Sequence, residues 1–289
     1  MLQRNVQEWE EKTLRYQMVC VDLDGTLLDD QKCLPEKNQE ALRNLWQDGV
    51  EICIASGRSP ISAESYLTQM GITGSVVALN GGLVRAHGKE IAQSLMERAS
   101  VEAVIGIAET YGVYTYLNDG EQTFVINEPE AEFRKRLAGN PKLSESFQPV
   151  SADEMRNLLA SGQARCMKIS MREDDLTALE RLRETILTAL PTGIQTAKSD
   201  INYLDVFPKG RSKWSGIEQL LSHFGIAKEC CVCFGDNEND REMLAEAGLG
   251  IAMGNAQPDL KMKADFVTLT NQECGVAYGI HTWVEEKGR

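Results

Sequence analysis

Two carboxylates one residue apart, Asp22 and Asp24 in Asp22-Leu23-Asp24-Gly25-Thr26, follow directly on the apolar run Met18 to Val21. At the end of a buried strand such a pair is costly to hold without a cation beside it. A second acidic cluster, Asp236, Glu238 and Asp240, follows the apolar run Cys231 to Phe234 much later in the chain. Converging strand ends would bring the two clusters together, and hard oxygen ligands in that number suit Mg2+. Taken singly, each cluster is more simply a turn and helix N-cap, where Asp and Asn are common. Two further signals shift that balance. Ser56-Gly57-Arg58 follows a strand run and offers a hydroxyl and backbone N–H groups to an anionic oxygen, and Lys213 brings a fixed positive charge near a helix start. A phosphoryl group calls for this set: a nucleophile, a metal, hydroxyl and amide donors, and a cation to spread over its charged oxygens.

The hydrophobic pattern supplies the elements that must position these residues. Met18 to Val21 reads as a buried parallel strand. Leu34, Ala41, Leu42, Leu45 and Trp46 recur at helical spacing, Gly49 stops them, and Val50 to Ala55 forms the next strand. Ser59 and Pro60 have the chemistry of an N-cap and first helical residue, the helix ends near Gly71, and the strand Ser75 to Leu79 runs into Asn80-Gly81-Gly82. Ligands of open parallel sheets bind at the carboxyl ends of the strands, where the two acidic clusters and Ser56 lie. From about residue 84 the pattern changes. A helix face (Val101, Val104, Ile105, Ala108), a hairpin turning at Asn118-Asp119-Gly120, a capping box of Ser151 with Glu154 and a long helix from Leu176 describe a smaller α+β unit, to which Tyr203 to Phe207 adds a strand. The β-α-β rhythm then resumes with Ile217 to Phe224, Cys231 to Phe234, Leu249 to Met253 and Phe266 to Leu269. The fold class expected is α/β, a Rossmann-like parallel-sheet core with an inserted α+β cap domain. The core comprises residues 1–84 and 200–289, with 1–16 a polar N-terminal extension, and the cap comprises 85–199.

Forty-three acidic against 30 basic side chains give a net charge of −13, which argues against nucleic acid and anionic membranes as partners. No apolar run is long enough to span a bilayer, and the first residues lack the apolar core of a signal peptide, so a cytoplasmic protein is expected. Most of the eight cysteines lie in or beside β-branched runs and read as buried thiols rather than zinc ligands. The three histidines, His87, His223 and His281, sit beside no candidate nucleophile, which removes Ser-His and Cys-His mechanisms. No feature of the pattern specifies an oligomeric state.

In order along the chain, Asp22-Leu23-Asp24-Gly25-Thr26-Leu27-Leu28, Ser56-Gly57-Arg58, Lys213 and Gly235-Asp236-Asn237-Glu238-Asn239-Asp240 resemble the four motifs of the haloacid dehalogenase superfamily. With Asn80-Gly81-Gly82, Ala252-Met253-Gly254-Asn255-Ala256 and an insertion between the second and third motifs, the resemblance narrows to the Cof-type phosphatases of subclass IIB. It implies Asp22 as a nucleophile that becomes an aspartyl phosphate and Asp24 as general acid and base. It also implies a Mg2+ ion held by the Asp22 carboxylate, the Asp24 carbonyl and Asp236, with Asp240 orienting a ligand. Ser56, Gly57, Lys213 and Asn239 are implied at the phosphate, and Asn80, Gly81 and Arg58 near the substrate. The expected activity is hydrolysis of small phosphorylated metabolites such as sugar phosphates. A phosphosugar mutase of the same superfamily is the alternative, and a non-catalytic phosphometabolite sensor a more distant one. Asp24 argues against a dehalogenase, whose halide leaving group needs no acid. Lys209 competes with Lys213 for the cationic role, although Ser212-Lys213 fits the family pattern better, and Trp214 reads as packing the helix start.

Overall fold

The computed structural model describes residues 15–129, 135 and 146–285. Residues 1–14 of the expected extension lie outside them, while Tyr16 is buried in the core. The first sheet contains β1 (Met18–Val21), β2 (Glu51–Ala55), β3 (Ser75–Ala78), β4 (Leu83–Ala86), β5 (Lys89–Gln93) and the later strands β12 (Cys231–Gly235), β13 (Leu249–Ala252) and β14 (Phe266–Val267). Their order is β14-β13-β12-β1-β2-β3-β4-β5. All pairs are parallel from β14 to β3, and β4 and β5 add an antiparallel edge.

Strand periodicity sends successive residues to opposite faces, and both faces of this sheet are covered. Val19, Val21, Ile52, Ile54, Val232 and Phe234 pack with Leu42 and Leu45 of α1 (Glu36–Gln47) and Leu67 of α2 (Pro60–Met70). Met18, Cys20, Cys53, Cys231 and Cys233 face the other way, toward Trp214 and Ile217 of the helix Lys213–Phe224. The Cys231 Sγ lies 3.8 Å from that of Cys20 and 3.9 Å from that of Cys233. Burial pushes the Cys20 and Cys233 thiols up, so they stay neutral members of an apolar layer. Trp214 packs the helix start, as its sequence setting suggests. Ser59 caps α2, Pro60 opens it, and Gly71 ends it in the left-handed region.

The second sheet is built from β6 (Tyr114–Asn118), β7 (Thr123–Ile126), β8 (Phe147–Pro149), β9 (Lys168–Arg172), β10 (Ile194–Asp200) and β11 (Tyr203–Pro208), in the order β10-β11-β9-β6-β7-β8. Leu117, Ile169, Met171, Leu204 and Val206 on one face pack against α3 (Arg98–Tyr111), α4 (Ala152–Ala160) and α5 (Leu176–Ala189). The alternate residues Tyr116, Asn118, Lys168, Ser170 and Asp205 look the other way, toward the first sheet.

Sheet membership moves the expected boundaries. β4 and β5 continue the first sheet, and β11 lies between β10 and β9 in the second, so the chain changes sheets after Gln93 and again after Pro208 rather than at 84 and 199. The β4–β5 hairpin is hard to read because its two turn residues, His87 (φ 48) and Gly88 (φ 76), take the left-handed region with a histidine where Asn or Asp is the usual signal. Among the described residues no helix is long and apolar enough to cross a membrane.

Candidate active site

Parallel registry of β12, β1 and β2 places Asp236, Asp22 and Ser56 side by side just past the carboxyl ends of their strands. Lys213 opens the helix that follows β11, here α6 (Lys213–Phe224), behind the N-cap Ser212, whose hydroxyl accepts from the Ser215 N–H. This places a fully buried ammonium under the strand ends. Its Nζ donates to Asp22 Oδ1 and to Asp240 Oδ1, each at 2.6 Å. Burial alone would lower the Lys213 pKa, but the two carboxylates carry it above its usual range, so the side chain stays charged. Burial pushes Asp22 well up, and Lys213 opposes that shift. The other oxygen of Asp240 accepts the backbone N–H groups of Asp236 (2.9 Å) and Asn237 (3.0 Å). Both Asp240 oxygens are thus taken, and the residue anchors the loop and Lys213. Lys209 is exposed, which leaves the cationic place to Lys213.

Asp24 is clamped. Arg58 donates from Nε to Oδ2 at 2.7 Å and from Nη2 to Oδ1 at 2.6 Å, and Lys32 lies 2.8 Å from Oδ1. Burial works to raise its pKa, yet Arg58 and Lys32 hold the carboxyl well below the usual carboxylate range. Arg58 is itself steadied by a bond from Nη1 to the Tyr66 hydroxyl at 2.9 Å. Lys32 was not legible in the sequence as a site residue. It reaches Asp24 from a tight turn, at φ 60, between Asp29 and Cys33, and nothing in Asp29-Asp30-Gln31-Lys32 marks that direction.

Carboxylate oxygens of Asp22, Asp236 and Asp240 lie within 4.8 Å of one another. Thr26 Oγ1 donates to Asp236 Oδ1 at 2.8 Å, and the Asn255 amide donates to the Gly25 carbonyl at 2.8 Å. Burial first, and the Asp240 charge second, push the Asp236 carboxyl up to about 7. Gly25 has φ +79, and a Cβ there would stand 2.3 Å from Asp236 Oδ2, so only glycine lets the two acidic segments approach. Crowded, desolvated carboxylates with one ammonium among them are a donor set that fits a hard divalent cation such as Mg2+.

The phosphate-loop candidates meet β3. The Ser56 hydroxyl accepts from the Arg58 N–H at 3.2 Å, and the Asn80 N–H donates to the Ser56 carbonyl at 3.2 Å. Two expectations need correction here. A Cβ on Gly81 (φ +88) would come within 2.1 Å of the Ser212 carbonyl oxygen, so Gly81 seats the start of α6 instead of meeting a substrate. Asn80 is buried, donating to Asp205 Oδ2 at 2.7 Å and accepting from Asn239 Nδ2 at 3.1 Å, which makes it a bridge between the sheets. Asn239, whose place beside the phosphate is also expected, lines the cavity and spends one of its two amide N–H groups on Asn80. Gly81→Ala is expected to cost about 2 kcal/mol or more, from the positive φ and the backbone collision together. Urea unfolding of the variant beside the parent chain measures it.

Between the sheets lies a cavity of about 470 Å3. Asp22, Asp24, Ser56 and Gly57 line it from the first sheet, and Asn118 and Lys168 from the second. Lys168 Nζ donates to the Gly57 carbonyl at 2.5 Å and to Asp205 Oδ2 at 2.9 Å. A second tie crosses the sheets at the rim, where Arg183 Nη2 donates to Glu238 Oε1 at 2.8 Å. The alternation Lys168-Ile169-Ser170-Met171 was a signal available in the sequence: one face apolar, the other aimed at something polar.

The comparisons agree with this geometry. A family model described as haloacid dehalogenase-like hydrolase matches residues 19–280. The 5-amino-6-(5-phospho-D-ribitylamino)uracil phosphatase YitU of Bacillus subtilis is 28% identical over 268 residues, covering 90% of this chain and 94% of its own. Among solved structures, the subclass IIB sugar phosphatase BT4131 superposes with a TM-score of 0.79 at 27% identity, over 92% of this chain and 98% of its own. A haloacid dehalogenase-like hydrolase from Bacteroides thetaiotaomicron gives 0.78 at 25% identity, with the same coverage of both chains. Four motif segments brought into one cluster, and a family match running through both ends of the first sheet, make this chain a member of the haloacid dehalogenase-like hydrolases.

Proposed function

We propose that the protein hydrolyses small phosphomonoesters, sugar phosphates or similar metabolites, with Mg2+ as cofactor and a phosphorylated Asp22 as intermediate, and that the unit built on the second sheet acts as its cap. The observation that carries this reading is the pairing of Asp22, one oxygen fixed by buried Lys213, with Asp24 at the floor of the same cavity. The phosphatase names of the relatives support it.

An Asp22 oxygen attacks phosphorus in line, the bond from phosphorus to the ester oxygen breaks, and that oxygen takes a proton from Asp24. Water then attacks the phosphorus, Asp24 accepts its proton, and the bond to Asp22 breaks to release phosphate. Lys213 holds Asp22 in place and offsets its charge against the incoming anion, and Ser56 and Gly57 face the phosphoryl oxygens. Arg58 and Lys32 line the cavity and have a second possible partner in those oxygens, which would free Asp24 to carry its proton. Asp22, Asp236 and the Asp24 backbone carbonyl would hold Mg2+, with Asp240 fixing the loop behind them. When bound, the ion neutralises these carboxylates and draws charge from the phosphoryl group.

The test is phosphate release from sugar phosphates, pyridoxal phosphate, flavin mononucleotide and an aryl phosphate, with and without Mg2+. Release that needs the ion supports the reading. Isomer interconversion with a bisphosphorylated activator would favour a mutase, and tight binding with no turnover a sensor.

The carboxyl cluster also sets a pH dependence. An unfolded Asp ionises near 3.9, whereas folded Asp236 holds its proton to about 7 and Asp22 is raised as well. Across that window the folded chain binds more protons than the unfolded one, so stability is lost as pH rises. In EDTA the melting temperature should therefore fall between pH 5 and pH 8 by several degrees (roughly 2 to 3 kcal/mol for one such group). Millimolar Mg2+ should remove most of the fall. Melting curves at both pH values, with and without the ion, check it, and a flat profile in EDTA would contradict the assigned site.

A further inference from the structure

A buried hydrogen-bond network joins the two sheets. Asp205 is fully buried, its Oδ1 accepting from Ser170 Oγ at 2.7 Å and its Oδ2 from Lys168 Nζ at 2.9 Å and Asn80 Nδ2 at 2.7 Å. Asn80 passes the network to Asn239. The Lys168 side chain is only 5% exposed, and of its three ammonium N–H groups one goes to Asp205 and one to the Gly57 carbonyl. The third is left over, on a residue that lines the cavity. At the other end of the network, Asn239 Oδ1 is buried without a partner among the described residues, and Asn239 lines the same cavity. One unspent donor, the third N–H of Lys168, is therefore left on a residue that lines the space beside the phosphate loop, and a hydroxyl oxygen brought there by a substrate accepts it.

From this geometry we propose that Lys168, held by Asp205, is a specificity-determining residue that donates to a hydroxyl oxygen of the substrate close to its phosphate ester, selecting polyhydroxylated alkyl phosphates over phosphates of equal size without hydroxyls. The proposal rests on the phosphomonoester reading of the site and adds to it the chemistry of the group that leaves. Gly57 is the reason the contact sits so close to the phosphate. A Cβ there would lie 3.1 Å from Asn80 Oδ1, 3.3 Å from Asp205 Oδ2 and 3.4 Å from Lys168 Nζ, so the bare backbone of the phosphate loop is what the ammonium rests on. A plain alkyl group at this place would leave a buried ammonium N–H unsatisfied, which is how such sites reject an analogue that lacks the hydroxyl.

The experiment compares a hexose 6-phosphate with cyclohexylmethyl phosphate, its hydroxyl-free counterpart. Binding of each to the full chain carrying Asp22→Asn is measured by calorimetry in Mg2+ buffer, with and without Lys168→Met. The hexose ester should bind about ten- to a hundredfold more tightly, the usual worth of a hydrogen bond to a charged group, and Lys168→Met should remove most of that ratio. Ser170→Ala removes one anchor of Asp205 and should narrow the ratio by about two- to fivefold, which keeps the test open if Lys168→Met does not fold. A ratio near one in the parent, a ratio moved by neither variant, or an equal loss of both ligands would overturn the proposal, the last because it marks a purely structural residue. Turnover of the same esters by the unsubstituted chain is scored separately. Discrimination in binding with no phosphate released would refute the phosphatase reading and leave the Lys168 assignment standing.

Discussion

Asp22→Asn is expected to abolish phosphate release, with a loss of roughly four orders of magnitude or more in kcat, the scale on which removal of a covalent nucleophile acts. The substitution keeps the shape of the side chain and replaces one carboxylate oxygen by an amide nitrogen. Asp22 Oδ1 currently accepts a 2.6 Å bond from Lys213, and an amide oxygen can still accept it, so the chain should fold. What disappears is the nucleophile, because an amide does not form the acyl phosphate. Burst-phase kinetics and phosphate release with the best ester of the panel measure the effect. Turnover within tenfold of the parent would exclude Asp22 as nucleophile, whatever Asp24 does.

Lys213→Met should be the most destabilising single change in the site. The ammonium is fully buried between Asp22 and Asp240, whose side chains are 6% and 0% exposed. Removing one partner of a buried ion pair leaves uncompensated charge and costs about 3 to 5 kcal/mol. Here two carboxylates lose their cation at once, and the loop that Asp240 holds through the Asp236 and Asn237 N–H groups loses its anchor. Urea unfolding in EDTA reads the loss. Because Mg2+ at the proposed site would supply positive charge to the same cluster, part of the stability should return on adding the ion, while turnover should stay at least about a hundredfold down for want of a fixed electrostatic donor. Arginine should not rescue it, since a planar guanidinium does not fit a fully enclosed ammonium site. An unfolding midpoint equal to the parent's in EDTA would show that the pair contributes nothing.

How much of this was legible in the sequence depends on how far each feature is local. Asp22, Ser56 and Asp236 end apolar runs, and strand ends in a parallel sheet converge by construction, so their meeting followed from pattern alone. The caps Ser59, Ser151 and Gly71 were likewise readable, because capping is decided within one turn of the chain. Asp205 was not, since it acquires its meaning only from its neighbours in space, and Lys168 was legible only as the polar side of an alternating strand. Gly81 misled for the same reason: a glycine beside a strand end suits a ligand or a close backbone equally, and the nearby Ser212 carbonyl decides between them. The sheet boundaries slipped where β4 reverses direction at His87-Gly88, a turn that depends on two positive φ angles and leaves the hydrophobic rhythm unbroken.

The position of β1 between β2 and β12 has a consequence for the birth of the molecule. During synthesis the strands β1 to β5 emerge first, then the whole second sheet, and only afterwards the chain that carries β12, β13 and β14. The second sheet can finish on the ribosome, every partner being already made. The first cannot, because the outer side of β1, with Met18 and Val19 in its ladder, waits for Cys231 and Val232. Through that interval the nascent protein carries an unpaired, wholly apolar parallel edge, the kind of surface that other chains and chaperones bind. Asp22 ends that same edge, and the carboxylate cluster therefore comes into being only with the final closure of the sheet.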